Sequence, residues 1–128
     1  MKHVLSTVCA LMLFVCTGCG DSHESLSGEM VDTMNQMTKV LAEVKDKDSA
    51  KSAGPKLEAL GKEMKDIQKR SEALGKPDEA AQKSLKESFE KPMSEAMDKF
   101  MKEMMRIAMN PELADALPKD MGVGGMGQ

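Results

Sequence analysis

Methionine is the residue type whose number and spacing in this chain could support chemistry. The chain contains 14 methionines, and three of them, Met101, Met105 and Met109, recur at intervals of four residues. On a helix this spacing places the three side chains on consecutive turns of one face. Thioether sulfurs are soft and neutral and favour Cu(I) over Zn²⁺ or Ni²⁺, so this set, called the methionine ridge below, could share one copper ion.

The methionine ridge has two further interpretations. The apolar stripe of the same segment lies on a different face, which leaves the ridge among Glu87, Ser94 and Asp98, on the side that should face water. Since methionine adapts to irregular apolar partners, the ridge could contact the C-terminal segment, a second copy or a protein partner. It could also simply be exposed. No histidine lies near it, so we favour protein contact over copper binding.

Patterns that would indicate catalysis are weak. The segment GVGGMG, residues 122–127, matches G-x-G-x-x-G, but dinucleotide binding requires a strand before the glycines and a helix after them. An activated nucleophile usually needs a histidine, and the only one beyond the first twenty residues is His23. Acidic and basic residues alternate at the i, i+4 spacing of surface pairs, as in Glu58, Lys62, Asp66 and Arg70. We therefore predict neither an enzyme nor a cofactor.

The first eighteen residues have the layout of a secretory signal peptide. Lys2 makes the start positive, and a 12-residue apolar run, Val4–Val15, follows before Gly18. As a helix this run would reach only about 18 Å, against about 30 Å for a bilayer core, so it is a poor permanent membrane span. We predict that residues 1–18 are removed.

The segment Thr17-Gly18-Cys19 resembles the lipobox of bacterial lipoproteins. Cys16 departs from the pattern, which prefers leucine or another aliphatic residue at that position, but it is small and apolar. The resemblance implies cleavage after Gly18, a diacylglyceryl group on the Cys19 thiol and a fatty acyl group such as palmitate on the new amine. It also implies a membrane-anchored protein of the cell envelope that faces the periplasm, with the inner or outer membrane left open.

The distribution of cysteines agrees with this interpretation. No cysteine follows Cys19. An internal disulfide would need a second cysteine, and a cysteine-based metal site would need more. The one cysteine that cleavage would retain is therefore best explained as the attachment point for lipid.

The composition of the 110 residues after the predicted cleavage disfavours nucleic acid as a partner. Removing Lys2 from the 18 basic residues leaves 17 against 21 acidic ones, a net charge of −4. Phosphate backbones require a basic face. Phe89 and Phe100 are the only aromatic residues in this part, so platforms for stacking bases are missing as well.

Apolar residues recur at helical spacing in three segments, and no stretch alternates with period two, so we predict an all-α protein. The first segment begins at Leu26, with Ser25 or Ser27 as its N-cap. Asp48 is the predicted N-cap of the second segment, and the third runs from about Asp78 to 109.

Two prolines fall within these segments. Pro55 either starts the second helix or kinks it, and we favour a kink because the apolar stripe continues through it. Pro92 should bend the third helix near Ser88 or break it after Lys91.

Together these patterns predict an up-down-up three-helix bundle. Residues 1–18 form the signal peptide, 19–25 the lipidated cysteine and a polar tether, 26–109 the bundle, and 110–128 a short turn and a flexible glycine-rich tail.

The predicted role is a lipid-anchored helical interaction or structural module of the cell envelope. The alternative is a methionine-rich Cu(I)-binding envelope lipoprotein that uses the ridge, with His23 as a further candidate ligand. The part after Cys19 loosely resembles small helical bacterial lipoproteins without an assigned activity.

Overall fold

The computed structural model describes residues 20–117. This part of the chain forms four helices, which are α1 (His23–Ala42), α2 (Lys47–Leu74), α3 (Glu79–Ala108) and α4 (Pro111–Ala116). Helices account for 86% of it and it contains no strand, which confirms the predicted all-α class for these residues. The predicted signal peptide, Cys19 and the glycine-rich tail lie outside the described residues.

The three long helices begin at capping side chains. Ser22 caps α1 and Asp46 caps α2, and each exchanges hydrogen bonds with the serine three residues later, Ser25 or Ser49. Asp78 caps α3. These oxygens accept hydrogen bonds from backbone N–H groups that a helix start leaves without an intrahelical partner, so each cap sets where its helix begins.

The first helix starts earlier than the sequence pattern predicts. Neither Ser25 nor Ser27 is its N-cap, because the capping box formed with Ser25 places the cap at Ser22. The helix therefore begins at His23, and the last three residues of the predicted tether, 19–25, are helical.

The cap of α2 is also a correction. Asp46, not Asp48, is the N-cap, and Asp48 lies in the first turn, where a negative charge still interacts favourably with the helix dipole. The Asp46 carboxylate accepts hydrogen bonds from the Ser49 backbone N–H at 2.8 Å and from the Ser49 hydroxyl at 2.7 Å. Because these bonds favour the ionised form, they hold the pKa of Asp46 below its ordinary value of 3.8.

Both internal prolines lie within continuous helices. α2 runs through Pro55 and α3 through Pro92, which excludes a helix start at Pro55 and a break after Lys91. A proline removes one backbone hydrogen bond from its helix. Around Pro55 this loss is offset by packing, since Ala53 and Leu57 on either side are buried.

The helix α1 occupies the centre of the packing. It contacts both α2 and α3, whereas no Cα atom of α2 lies within 8 Å of one in α3. α4 packs against both α2 and α3. The main core consists of buried apolar residues from all four helices, the first connection and the C-cap of α4: Met34, Met37, Leu41, Val44, Ala50, Ala53, Leu57, Leu60, Ala96, Phe100, Ile107, Leu113 and Leu117.

The core extends further along the chain than the sequence pattern predicts. We expect packing to end at Met109, with a short turn after it, but Leu113 and Leu117 are 4% and 6% exposed and belong to the main core. Asn110 caps α4, and Pro111 occupies its first turn, where a missing N–H costs nothing. The packed domain therefore includes residues up to 117.

Packing along α3 is uneven. Its fully buried residues are Ala96, Phe100 and Ile107, all in its C-terminal half. Leu85 and Phe89, apolar residues at helical spacing in its N-terminal half, are only half-buried. The C-terminal half of α3 is thus the part most firmly held by apolar contacts.

Truncation of Leu113 tests whether α4 belongs to the core. Leu113→Ala in a soluble form that begins at Gly20 should lower the free energy of unfolding by about 2 kcal/mol, the low end for a buried leucine because a short helix can partly relax. Leu74, which is 38% exposed, provides the matched control, and Leu74→Ala should change stability by less than about 0.5 kcal/mol. Urea unfolding followed by circular dichroism measures both, and equal effects would remove α4 from the core.

Candidate interaction surface and anchor junction

The methionine ridge lies on the surface of α3 and its C-cap. Met101 is 53% exposed, Met105 62% and Met109 83%. Within residues 20–117, Leu74, at 38%, is the only other large apolar residue with more than about one third of its surface exposed. The prediction that the ridge lies outside the core is confirmed.

The helix that carries the ridge is held on its other side. Phe100 and Ile107, close to ridge residues in sequence, are buried in the core, and Met104 packs partly against it. Methionine side chains on consecutive turns therefore project from a helix whose opposite face is packed. The ridge is an apolar surface with a defined backbone position.

A long-range contact fixes the same part of α3 to the end of α1. The Arg106 guanidinium donates hydrogen bonds to the main-chain oxygens of Leu41 at 2.8 Å and Val44 at 2.9 Å. Its Nε donates to the Glu103 carboxylate at 2.8 Å. The Leu41 carbonyl also accepts from the Val44 N–H at 3.1 Å, and Val44 follows the C-cap of α1. Arg106 therefore adds charged donors in the last turn of α1 and just after it. Sequence reasoning missed this residue, since nothing in the local pattern links Arg106 to α1.

The described C-terminal segment does not cover the ridge. Leu113 and Leu117 turn into the core, while Met105 and Met109 remain more than half exposed. Of the partners that the sequence suggested for the ridge, residues 111–117 are therefore ruled out. Residues 118–128 lie outside the described part.

The structure separates His23 from the methionine ridge. His23 is the first residue of α1, whereas Arg106, within the ridge segment, contacts Leu41 near the end of α1. At 1.5 Å per residue these two positions on α1 are about 27 Å apart. Between residues 20 and 117 no group of three His, Cys, Asp or Glu side chains is placed to hold a metal ion. Copper at the ridge would thus depend on thioethers without His23.

A second cluster lies where the chain enters the fold. Arg70, near the end of α2, donates to both carboxylate oxygens of Asp21, with Nε at 3.0 Å from Oδ2 and Nη2 on Oδ1. It also donates to Glu29 in α1, at 2.8 Å from Nη1 and 3.2 Å from Nη2. The planar guanidinium suits such paired contacts with carboxylates. We call Asp21, Glu29 and Arg70 the anchor junction, since Asp21 lies two residues after Cys19.

Sequence spacing predicted only one of the contacts that Arg70 makes, and it is the longest of them. The expected pair of Arg70 with Asp66, one turn earlier on α2, is present at 3.8 Å. The shorter contacts are with Asp21 and Glu29, 49 and 41 residues away in sequence. No local signal identifies these partners, because i, i+4 spacing reports only neighbours within one helix.

The anchor junction shifts the pKa of its members. Hydrogen bonds from Arg70 hold the pKa of the Asp21 carboxyl below its ordinary value of 3.8. The carboxylates of Asp21 and then Glu29 raise the pKa of Arg70 further above its already high value. The Arg70 and Asp21 side chains are about one third exposed, so water screens the attraction between their charges. The junction mainly determines where residue 21 lies.

An apolar groove lies beside the anchor junction. It has a volume of about 510 Å³ and is lined by Leu26 and Met30 of α1, Leu85 of α3, and Lys76 and Pro77 between α2 and α3. His23 lines it as well, at the start of α1. The groove therefore belongs to the end of the molecule at which α1 begins and α2 ends.

Comparison with family models, with curated proteins and with solved structures finds no match for this chain. Its helices between residues 20 and 117 are each too short or too polar to cross a membrane.

Replacement of Arg106 tests the contact between α3 and the end of α1. Arg106→Ala should lower the free energy of unfolding by about 1 kcal/mol, because two main-chain carbonyls lose charged donors that water can partly replace. Lys102→Ala, at an exposed lysine one turn earlier, is the matched control and should have little effect. Thermal unfolding of both variants measures the difference, and equal stability would mean that the Arg106 contact contributes nothing.

Acidification tests the anchor junction. Since the pKa of Asp21 is lowered in the folded chain, the ion pair stabilises the fold above the ordinary value of 3.8, and this contribution is lost as the pH falls through the lowered value. Asp21→Asn should therefore be less stable than the wild type at a pH of about 6, and the difference should shrink as the pH approaches about 2. Urea unfolding at several pH values measures it. A difference that does not depend on pH would contradict the ion pair.

Proposed function

We propose that this protein is a lipid-anchored component of the cell envelope that presents a helical interaction module. Signal peptide 1–18 is removed, Cys19 carries the lipid, and the methionine ridge is the surface that binds protein. The observation that carries this proposal is the exposure of Met101, Met105 and Met109 on a helix packed firmly on its other side. An apolar patch of this kind on a fixed backbone is typical of a protein-binding surface.

We further propose that α1, α2 and α3 form an up-down-up bundle. Arg70 near the end of α2 contacts Asp21, next to the start of α1, which supports opposite directions for α1 and α2. Arg106 near the end of α3 contacts Leu41 near the end of α1, which supports a common direction for α1 and α3. Because α2 and α3 do not approach each other closely, α4 fills part of the space between them.

In this arrangement the anchor and the ridge lie at opposite ends. α3 contains 30 residues, a length of about 45 Å. It begins near the α2 terminus that carries Arg70 and ends at Met109. Lipid at Cys19 would therefore hold one end at the membrane and present the ridge to the periplasm. The flexible thioether side chains suit either a second copy or another protein as partner.

The alternative function is Cu(I) binding by the ridge. Three exposed thioethers on consecutive turns favour it, since soft ligands in this spacing could meet one ion. The distance to His23 weighs against it, and we rank it second. We propose no catalytic role, because the chain after Cys19 contains one histidine and no second cysteine.

Replacement of Cys19 tests the anchor. Each acyl methylene buried in a membrane contributes about 0.8 kcal/mol, so a protein without its acyl chains should leave the membrane or remain as an unprocessed precursor. We expect Cys19→Ser to abolish incorporation of a labelled palmitate analogue and retention after carbonate extraction. Cys16→Leu, which restores the aliphatic residue that the lipobox pattern prefers, is the matched control and should still be lipidated. Normal lipid labelling of Cys19→Ser would contradict the proposal.

Substitution at the centre of the ridge separates the two functions. Met105→Leu should preserve self-association or partner binding, since leucine is apolar and of similar volume. Met105→Lys should weaken it, because a charge would have to be desolvated in the contact. Sedimentation equilibrium and cross-linking in envelope preparations measure these effects, with Lys102→Met as a control for added apolar surface on the same helix.

Competition with a chelator for Cu(I) tests the alternative function. We expect the soluble domain to show negligible Cu(I) affinity against a chelator under reducing conditions. If it binds Cu(I) tightly, and replacement of all three ridge methionines by leucine abolishes binding while helicity is retained, the alternative function is the correct one.

A further inference from the structure

We propose that the anchor junction orients the molecule on the membrane, so that the connection between α2 and α3, residues 74–78, rests on the surface of the phospholipid bilayer. The inference depends on lipidation of Cys19, which is part of the proposed function, and adds the surface that meets the lipid. The inference rests on two observations, which are the position of Asp21 beside Arg70 and the side chains of the nearby connection between α2 and α3.

The first argument is the length of chain between lipid and fold. Cys19 precedes Asp21 by two residues, which span at most about 7 Å when fully extended. Asp21 is held by Arg70, and α1 begins two residues later at His23. With the junction formed, the tether has no slack. A lipid on Cys19 inserted in the bilayer therefore brings the part of the molecule around Arg70 to the bilayer surface.

The second argument identifies what lies around Arg70. Leu74 ends α2 one turn after Arg70, and Asp78 caps α3 four residues further on. The apolar groove lined by His23, Lys76 and Pro77 shows that the start of α1 and this connection are adjacent. The connection between α2 and α3 therefore lies beside the start of α1, at the same end of the fold as the predicted anchor.

The third argument is the chemistry of this end. Leu74 is 38% exposed and is the only large apolar residue outside the ridge, within residues 20–117, with more than about one third of its surface exposed. Lys76, two residues later, is also exposed and can extend its ammonium toward lipid phosphates while its methylenes cover apolar surface. Exposed Glu72, Asp78 and Glu79 flank this stretch, so the contact rests on the apolar Leu74 side chain, with Lys76 as its one cation at the headgroups.

A matched pair of labels tests the orientation. The chain after Cys19 contains no other cysteine, so an introduced cysteine is the only free thiol in the lipidated protein. Ala73 near the end of α2 and Ala108 at the end of α3 are both exposed helical alanines. Each is changed to cysteine and labelled with a nitrobenzoxadiazole dye. The lipidated proteins are then placed in phosphatidylethanolamine–phosphatidylglycerol vesicles that contain lipid-borne quenchers.

We expect several-fold stronger quenching and a blue-shifted emission for the label at residue 73 than at residue 108. Arg70→Gln should reduce quenching at residue 73 toward the level at 108, because Asp21 is released and the tether gains slack. Lys69→Gln, at the exposed neighbouring residue, should leave it unchanged. If Arg70→Gln fails to fold, Asp21→Asn tests the same release while retaining the contact of Arg70 with Glu29.

Several outcomes would overturn the inference. Equal quenching at residues 73 and 108, or a reduction by Lys69→Gln equal to that by Arg70→Gln, would mean that the junction does not orient the molecule. Protection of residue 73 that depends on protein density in the vesicles would identify a second copy as the occupant of this surface.

The mass of the purified protein shows whether Cys19 carries lipid, and so distinguishes failure of this inference from failure of the proposed function. If Cys19 carries lipid and residue 73 is not quenched, only this inference fails, whereas absence of lipid removes the proposed function as well.

Discussion

The packing of α1 against both α2 and α3 is the constraint on which the rest of the structure depends. The Cα atoms of α2 and α3 do not come within 8 Å of each other, so the relative position of these two helices is set mainly through α1. α1 therefore buries residues against two helices, and its Leu41 and Met34 side chains are 0% and 2% exposed. A helix in this position needs a wide apolar face. This explains why apolar residues occupy so much of α1, with Val31 and Val40 also packed against the core.

Two arginines contact α1, one near each end, and they do so in different ways. Arg106 donates to the main-chain oxygens of Leu41 and Val44 and so adds charged donors in the last turn of α1 and just after it. Arg70 binds Glu29 and Asp21 near the N-terminus. Exposed ion pairs contribute little free energy, and Arg70 is one third exposed. Apolar burial provides most of the stability, while the arginines help to align the helices along their axes.

The two ends of the molecule, one near Arg70 and the other near Arg106, carry different features. Near Arg70 lie the first described residues, the connection between α2 and α3, and an apolar groove. Near Arg106 lie the buried half of α3, the short helix α4 and the exposed methionine ridge. The 30-residue helix α3 therefore spans the distance between the end that carries Arg70 and the end that carries the methionine ridge.

The sequence by itself determined the features that depend on residues close together in the chain. Helical periodicity identified the three long helices, most of the buried residues of α1 and α2 and of the C-terminal half of α3, and the exposure of Met101, Met105 and Met109. The side chain direction on a helix follows from spacing, but Leu74 at the end of α2 and Leu85 and Phe89 in α3 are not fully buried. Its errors were local as well. Competing polar residues near Ser22 and Asp46 offered several possible caps, and only the hydrogen bonds distinguish them. Proline propensity also suggested a break in α3, but the helix is continuous through Pro92.

Only the tertiary structure decided which distant residues meet. Arg70 contacts Asp21 across 49 residues and Arg106 contacts Leu41 across 65, and no periodic pattern encodes such pairs. The sequence pattern placed Leu113 and Leu117 in a short turn outside the core. Both are core residues, because α4 packs against both α2 and α3, whose Cα atoms do not come within 8 Å of each other. The physical reason is the same in each case. Local spacing sets the direction of a side chain from its own helix, whereas its partner depends on how whole helices pack.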